Sequence, residues 1–197
     1  MPLFDTHVHL QHEQFAGQVD AVVARAQRAG VTRLLCVVYD LESSRAAVEI
    51  ARRFAGIWAT IGIHPHDANT LDDSGQTELE ALAADDRVVA VGEIGLDFYR
   101  DLSPRDTQAQ AFEAQLELAE RIGLPAVIHC REAHGQTQEI LERWIPRLKG
   151  IVMHCFSGSI ELARWYTERG VYLGIDGPVT YPKSTRLEEI ARGIPDE

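Results

Sequence analysis

Short apolar runs of β type alternate with amphipathic helical stretches along the whole chain, and this alternation restricts the fold more than any other feature. Seven runs read as strands: Leu3 to Val8, Arg33 to Val38, Ile57 to Ile63, Val88 to Glu93, Ala126 to His129, Gly150 to His154 and Val171 to Ile175. The spacing between them predicts helices over Ala21 to Ala29, Ser43 to Phe54, Glu78 to Ala84, Pro104 to Ile122, Gln136 to Ile145 and Ile160 to Arg169, with a last one over Thr185 to Arg192. Gly30, Gly56, Gly123, Gly150 and Gly170 each fall between a helical pattern and the next strand, where a glycine is expected to take the left-handed conformation that ends a helix. In the longest helix Ala111, Gln115, Leu118 and Ile122 share a stripe, and Ser103-Pro104 reads as its cap and first-turn proline.

Such a repeat builds a parallel sheet covered by helices, because strands buried on both faces read as nearly continuous apolar runs. An open doubly wound sheet and a closed barrel both satisfy that rule. The polar residues favour the barrel: nearly every strand ends in a histidine or an acid, whereas an open sheet gathers its site at one switch point. The expected fold is therefore an α/β (β/α)8 TIM-barrel type, one domain over residues 1–197 with about seven β/α units present. The eighth strand is not found before Glu197, so the barrel is expected to be C-terminally incomplete.

Chemistry concentrates at the strand ends. In Asp5-Thr6-His7-Val8-His9 alternate side chains share a face, so His7 and His9 project together as a chelate. Glu93 in Gly92-Glu93-Ile94-Gly95-Leu96-Asp97, His129 in Val127-Ile128-His129-Cys130-Arg131, and His154 in Val152-Met153-His154-Cys155 each follow a short apolar strand. Four strands would thus deliver His7, His9, Glu93, His129 and His154 to one mouth of the barrel. Mixed imidazole and carboxylate donors suit zinc, manganese, nickel or iron better than calcium. The expected cofactor is one or two divalent ions of that kind, or magnesium. Two ions roughly 3.5 to 4 Å apart and bridged by Glu93 would activate water against a phosphodiester; a single ion would serve an amide or ester.

The surrounding residues are less specific. His64, after the third strand, reads as a catalytic proton-transfer group or a substrate contact, or as a ring simply hydrogen-bonded beside the mouth, and His66 shares those readings. Arg131 lies two residues beyond His129, where its guanidinium would clamp a phosphate or pair with Glu93 or Asp97. Tyr99 and Arg100 follow the Glu93 segment and are expected to line the cleft. Gly95 and Gly158 are expected to let loops turn away after each ligand. Asp176 reads as a metal ligand or, more readily, as a turn former, His12 and His134 as surface residues, and Trp58, Trp144 and Trp165 as packing residues.

A formal charge of −11 excludes a protein that coats nucleic acid through a basic surface. It does not exclude an anionic substrate, because divalent cations supply local positive charge. Cys36, Cys130 and Cys155 are odd in number and lack CxxC spacing, so reduced core thiols are expected. No apolar run approaches the ~20 residues of a membrane-spanning helix, and Met1-Pro2-Leu3-Phe4-Asp5 lacks an export signal, so a cytoplasmic protein without a membrane partner is expected.

Taken together, DTHVHL, GIHPH, GEIGLDFYRD, the helix carrying Gln108, Phe112 and Gln115, LPAVIHCR, HCFSG and GPVTY resemble the TatD-type metal-dependent deoxyribonucleases of the amidohydrolase superfamily, in order and over essentially the whole chain. The resemblance implies that His7 and His9 bind one metal, that Glu93 bridges to a second, and that His129 and His154 complete the second site. It further implies a (β/α) barrel and hydrolysis of DNA, expected to be single-stranded, by a 3′ to 5′ exonuclease. The family also carries an aspartate in a Glu-Thr-Asp segment ending the eighth strand; that segment has no counterpart here, and Asp196 lacks its surroundings. Val8 and Gln11 stand where cysteine and aspartate are common. An amidohydrolase acting on a small cyclic amide, a lactone or an aminoacyl ester is the second expectation, and an inactive metal-binding fragment the third. The oligomeric state is left open.

Overall fold

The computed structural model describes residues 2–195, so Asp196 lies outside the described residues. Its strands are β1 (Leu3–Val8), β2 (Val31–Cys36), β3 (Ile57–Ile61), β4 (Val88–Asp97), β5 (Ala126–Arg131), β6 (Ile151–Met153) and β7 (Tyr172–Leu173). The helices are α1 (Val19–Arg28), α2 (Leu41–Arg53), α3 (Asp73–Leu82), α4 (Arg105–Ile122), α5 (His134–Trp144), α6 (Ile160–Thr167) and α7 (Thr185–Gly193). Every strand pairs in parallel with its successor, giving the spatial order β1-β2-β3-β4-β5-β6-β7. That order decides between the two α/β architectures: a doubly wound sheet reverses its strand order at a switch point, and this sheet never does. The seven strands form a curled part-barrel of TIM type with a helix after each strand.

The core lies between the sheet and its helices. Ala47, Val48 and Ala51 of α2, Leu116 and Ala119 of α4, and Leu141 of α5 are almost fully buried with Ile57, Ile61, Ile94 and Ile128 of the strands. Each large aliphatic side chain so buried contributes about 1.5–3 kcal/mol. β4 explains its central place, since nine of its ten residues are buried. At the two edges Leu3 and Phe4 of β1 and Tyr172 of β7 remain about half or more exposed.

Several local expectations change. α3 begins at Asp73, five residues before Glu78, because Asp72 accepts a hydrogen bond from the Gly75 amide at 2.8 Å and starts the helix behind an inconspicuous glycine. Pro104 occupies the cap position of α4 rather than its first turn, and Ser103 does not cap the helix; its hydroxyl donates to the His66 carbonyl at 2.8 Å. Gly30, Gly123 and Gly170 are left-handed, whereas Gly56 and Gly150 are not. At Gly56 size matters instead, since an added Cβ would stand 2.4 Å from the Thr32 carbonyl oxygen. β4 runs four residues past Glu93, so Gly95 lies inside a strand and not in a loop.

The buried polar residues of α4 tie the helix to the site. Gln115 accepts from the Ile63 amide at 2.7 Å and donates to the Ile63 carbonyl at 3.0 Å. Gln108 accepts from the Asp97 amide at 2.9 Å. A helix stripe that would otherwise be apolar thereby fixes the chain just after β3 and at the end of β4, satisfying backbone groups that have no ladder partner there.

Candidate metal centre

The carboxyl ends of β1, β4, β5 and β6 bring His7, His9, Glu93, His129 and His154 around one buried carboxylate. Glu93 is 5% exposed, and its two oxygens face different histidines. Oε2 lies 3.4 Å from His7 Nε2, while Oε1 lies 2.8 Å from His129 Nδ1 and 4.0 Å from His154 Nε2. Three groups of donor atoms result among the described residues, each mutually within 4.8 Å: His7, His9 and Glu93; His64, Glu93 and His129; and His154, Cys155 and Asp176. Glu93 belongs to the first two. His154 sits beside them, its ring flat against that of His7 with centroids 3.4 Å apart.

The donor set fits a divalent cation. Both ring nitrogens of His7 are buried without a hydrogen-bond partner, an omission worth about 1–3 kcal/mol per polar group unless something binds there. His9 Nδ1 donates to the Val37 carbonyl at 2.8 Å, which leaves the Nε2 lone pair free. Cysteine enters only the third group, through Cys155; in the two that share Glu93 the mixture of imidazoles with a carboxylate is the donor chemistry of catalytic zinc, manganese or iron rather than of a closed structural site.

Charge states follow from burial and neighbours. Burial lowers His9, pushes His64 down to about 3 and pushes His154 down to about 4, so all three are neutral at pH 7, the form that offers a lone pair. Burial pushes Glu93 upward, but its hydrogen bond to His129 and the nearby His7 ring outweigh that and hold the carboxyl well below its usual range. Burial lowers His129, yet its contacts with Glu93 and Asp97 raise it overall.

Other expected residues take up varied positions. His64, 7% exposed, accepts at Nδ1 from the His66 amide at 3.1 Å, and its ring centroid is 4.4 Å from that of His129. Arg131 pairs with neither Glu93 nor Asp97 among the described residues; its guanidinium lies 3.9 Å over the exposed Tyr99 ring. Asp176 precedes a turn of 3-10 helix (Gly177–Thr180) without capping it, and its carboxylate stands 3.2 Å from His154 Nδ1. The turn-former reading therefore gives way to a contact with a candidate ligand. His12 and His134 are half-buried rather than surface residues: His12 accepts from the Gln14 amide, and His134 Nδ1 is 3.3 Å from Cys130 Sγ. The partner that residue spacing could have revealed, and did not, is Asp97. It shares the Glu93 face of β4 at positions 93, 95 and 97, and its carboxylate reaches His66 and His129.

The site opens into a cleft of about 660 Å³ lined by His9, Tyr39, His64, His66 and Glu93. Glu13, Asp40, Glu42 and Asp67 also border it, so without bound cations the cleft repels anions.

The sequence matches the family model described as TatD related DNase over residues 4–197. It is 44% identical over 175 residues to a protein of Cronobacter sakazakii named 3′-5′ ssDNA/RNA exonuclease TatD, a match covering 89% of this chain and 66% of that one. A Shigella flexneri protein of the same name is 41% identical over 196 residues, covering 99% of this chain and 75% of its own. The chain thus spans between about two thirds and three quarters of the length of these relatives. The crystal structure of the TatD homologue YJJV from Escherichia coli K12 superposes with a TM-score of 0.91 at 31% identity, over 98% of this chain and 75% of that chain.

Proposed function

Because the chain belongs to the TatD-related DNase family, we propose that its site hydrolyses phosphodiester bonds of single-stranded nucleic acid, DNA foremost, from the 3′ end and with one or two divalent cations. The observation that carries this reading is the division of Glu93, which offers one oxygen towards His7 and the other towards His129. His7, His9 and Glu93 would hold one cation, and Glu93, His129 and His154 the second. When bound, the cations supply Lewis acidity, lowering the pKa of water and neutralising charge on the departing oxygen.

The remaining residues bind and orient. His64 stays neutral at pH 7 and accepts at Nδ1, so its Nε2 carries the proton and donates to a phosphate oxygen. That makes it a substrate contact first, and an acid only at low pH. Tyr99 and Arg100 are not among the residues lining the cleft, contrary to expectation, but Arg131 stacked on Tyr99 presents an exposed cation and aromatic face at the ends of β4 and β5, suited to a phosphate and to the base beside it. The acidic border of the cleft makes capture of a polyanion depend on the cations as well as on Arg131. No described helix is long and apolar enough to cross a membrane. The unpaired Cys36, Cys130 and Cys155 support a reducing, cytoplasmic setting.

The test is chelated protein incubated with a labelled single-stranded oligonucleotide, with magnesium, manganese, zinc, nickel or iron(II) restored one at a time. Shortening from the 3′ end that appears only with added metal is the expected result. Turnover of a lactone, cyclic amide or aminoacyl ester with intact oligonucleotide would replace this reading by the amidohydrolase one. Metal uptake without any turnover would leave a metal-binding fragment.

A further inference from the structure

Asp97 is the most tightly held acid near the site, and the reading above gives it no task. Its carboxylate is 1% exposed at the end of β4, four residues beyond Glu93 on the same face. The backbone is clamped on both sides by Gln108, which accepts from the Asp97 amide at 2.9 Å and donates to its carbonyl at 3.3 Å. Oδ1 accepts from the amides of Tyr99 at 3.0 Å and Arg100 at 2.8 Å. With one oxygen engaged by two backbone donors, the group cannot rotate, and Oδ2 is aimed inward. There it meets His66 Nε2 at 2.8 Å and His129 Nε2 at 3.2 Å.

A carboxylate only accepts, so both imidazoles must present N–H to it. By the same rule Nδ1, 2.8 Å from Glu93 Oε1, also presents N–H while no cation is bound, and a proton held on Nε2 by Asp97 leaves Nδ1 as the nitrogen that gives up its proton to a cation. Donor atoms that share one cation, each at ~2.0–2.2 Å, lie ~3 Å apart when they subtend a right angle at it. We propose that Asp97 is a positioning residue: by accepting the Nε2 proton of His129 it fixes the tautomer and ring orientation that turn Nδ1, beside Glu93, towards the second cation.

His66 strengthens the arrangement by filling the remaining lone pair of Oδ2. It is itself anchored through its carbonyl, which accepts from Ser103 Oγ at 2.8 Å. The chain Ser103, His66, Asp97, His129, Glu93 thus runs from the start of α4 to the bridging carboxylate. Loss of an outer carboxylate of this kind typically weakens metal binding ten- to a hundredfold.

This inference rests on the metal-centre reading, and its test does not use nuclease activity. Zinc is the probe. Nitrogen-15 spectra of the zinc-loaded wild type should show His129 with a protected Nε2–H and a metal-shifted Nδ1, the signals being assigned by their loss in His129→Gln. Calorimetry should then give Asp97→Asn a ten- to hundredfold weaker affinity at one of the zinc positions. The amide keeps an acceptor for the Tyr99 and Arg100 N–H groups but can present N–H to His129. Zinc bound through His129 Nε2, or equal affinity in folded Asp97→Asn, overturns the proposal. If the variant does not fold, the wild-type spectrum decides alone. A wild type showing the expected spectrum and cutting no nucleic acid refutes the proposed function and leaves the role of Asp97 standing. A wild type that takes up no zinc refutes both.

Discussion

The imidazole of His154 lies face to face with that of His7, ring centroids 3.4 Å apart and planes inclined by 16°. Two stacked rings beside one carboxylate cannot both be charged without strong repulsion, and burial together with His7 accordingly holds His154 at about 4. His64, deeper still, is held at about 3 by burial and by His129. Both folded values lie below the unfolded value of about 6.5. The unfolded chain therefore binds more protons between those limits, and stability is lost as pH falls from about 6.5 towards 4. The raised His129 works the other way. The metal-free protein should lose on the order of a few kcal/mol between pH 7 and pH 4, read as a falling Tm. A Tm that is flat or rising on acidification would contradict these charge states.

Glu93→Gln tests the shared carboxylate. The amide has nearly the same size but no charge, and it offers one oxygen where His7 and His129 now face two. Loss of metal uptake at both positions is expected, with phosphodiester cleavage down at least a thousandfold, about 4 kcal/mol of transition-state stabilisation. Metal analysis after gel filtration checks the first part and a timed oligonucleotide assay the second. Retention of two tightly bound ions would remove Glu93 as the bridge.

How much of this centre could be read from residues alone follows from the range of each interaction. Strand order, parallel pairing and the gathering of His7, His9, Glu93, His129 and His154 were legible, because alternation and strand-end position are local properties of the chain. The roles of Gln108, Gln115, Asp97 and Asp176 were not. Gln115 bonds Ile63 across 52 residues and nothing near it in sequence announces that partner; for Asp97 the two-residue alternation from Glu93 places it on the site's face, but its contact with His129 across 32 residues depends on how β4 and β5 pair. Asp176 misled for a related reason: an acid between glycine-rich residues reads as a turn former until the end of β6 brings His154 to within 3.2 Å.

Arg131 and Tyr99 should act as a pair on substrate. The guanidinium carbon lies 3.9 Å from the Tyr99 ring centroid, and both side chains are exposed, which suits capture better than structural support. Arg131→Ala should raise KM for a single-stranded oligonucleotide about tenfold with kcat little changed. Arg131→Lys should recover only part of the loss, because an ammonium neither stacks on tyrosine nor binds phosphate through two parallel bonds. Raising the salt concentration should shrink the difference between wild type and Arg131→Ala. A change confined to kcat would place Arg131 in the chemistry instead.

Gly95→Ala should damage fold and centre together. The residue pairs with His129 between β4 and β5 at φ +143°, a region that residues with a Cβ rarely enter. A Cβ there would stand 2.0 Å from the His129 carbonyl oxygen, so the two strands must separate or twist apart. Separation carries Glu93 and Asp97 away from His129, since both face it from the same strand at distances of 2.8 and 3.2 Å. A destabilisation of roughly 2–4 kcal/mol is expected, the upper end of the usual range for a single substitution, together with weaker metal binding even well below the Tm. Gly123→Ala is the control: its φ is also positive, at +67°, but it ends α4 with nothing within 4 Å of the added atom. That variant should lose only about 1 kcal/mol and bind metal as the wild type does. Equal metal affinity in folded Gly95→Ala would mean that the centre tolerates a displaced β4, and the close approach of β4 to β5 would then be a matter of stability alone.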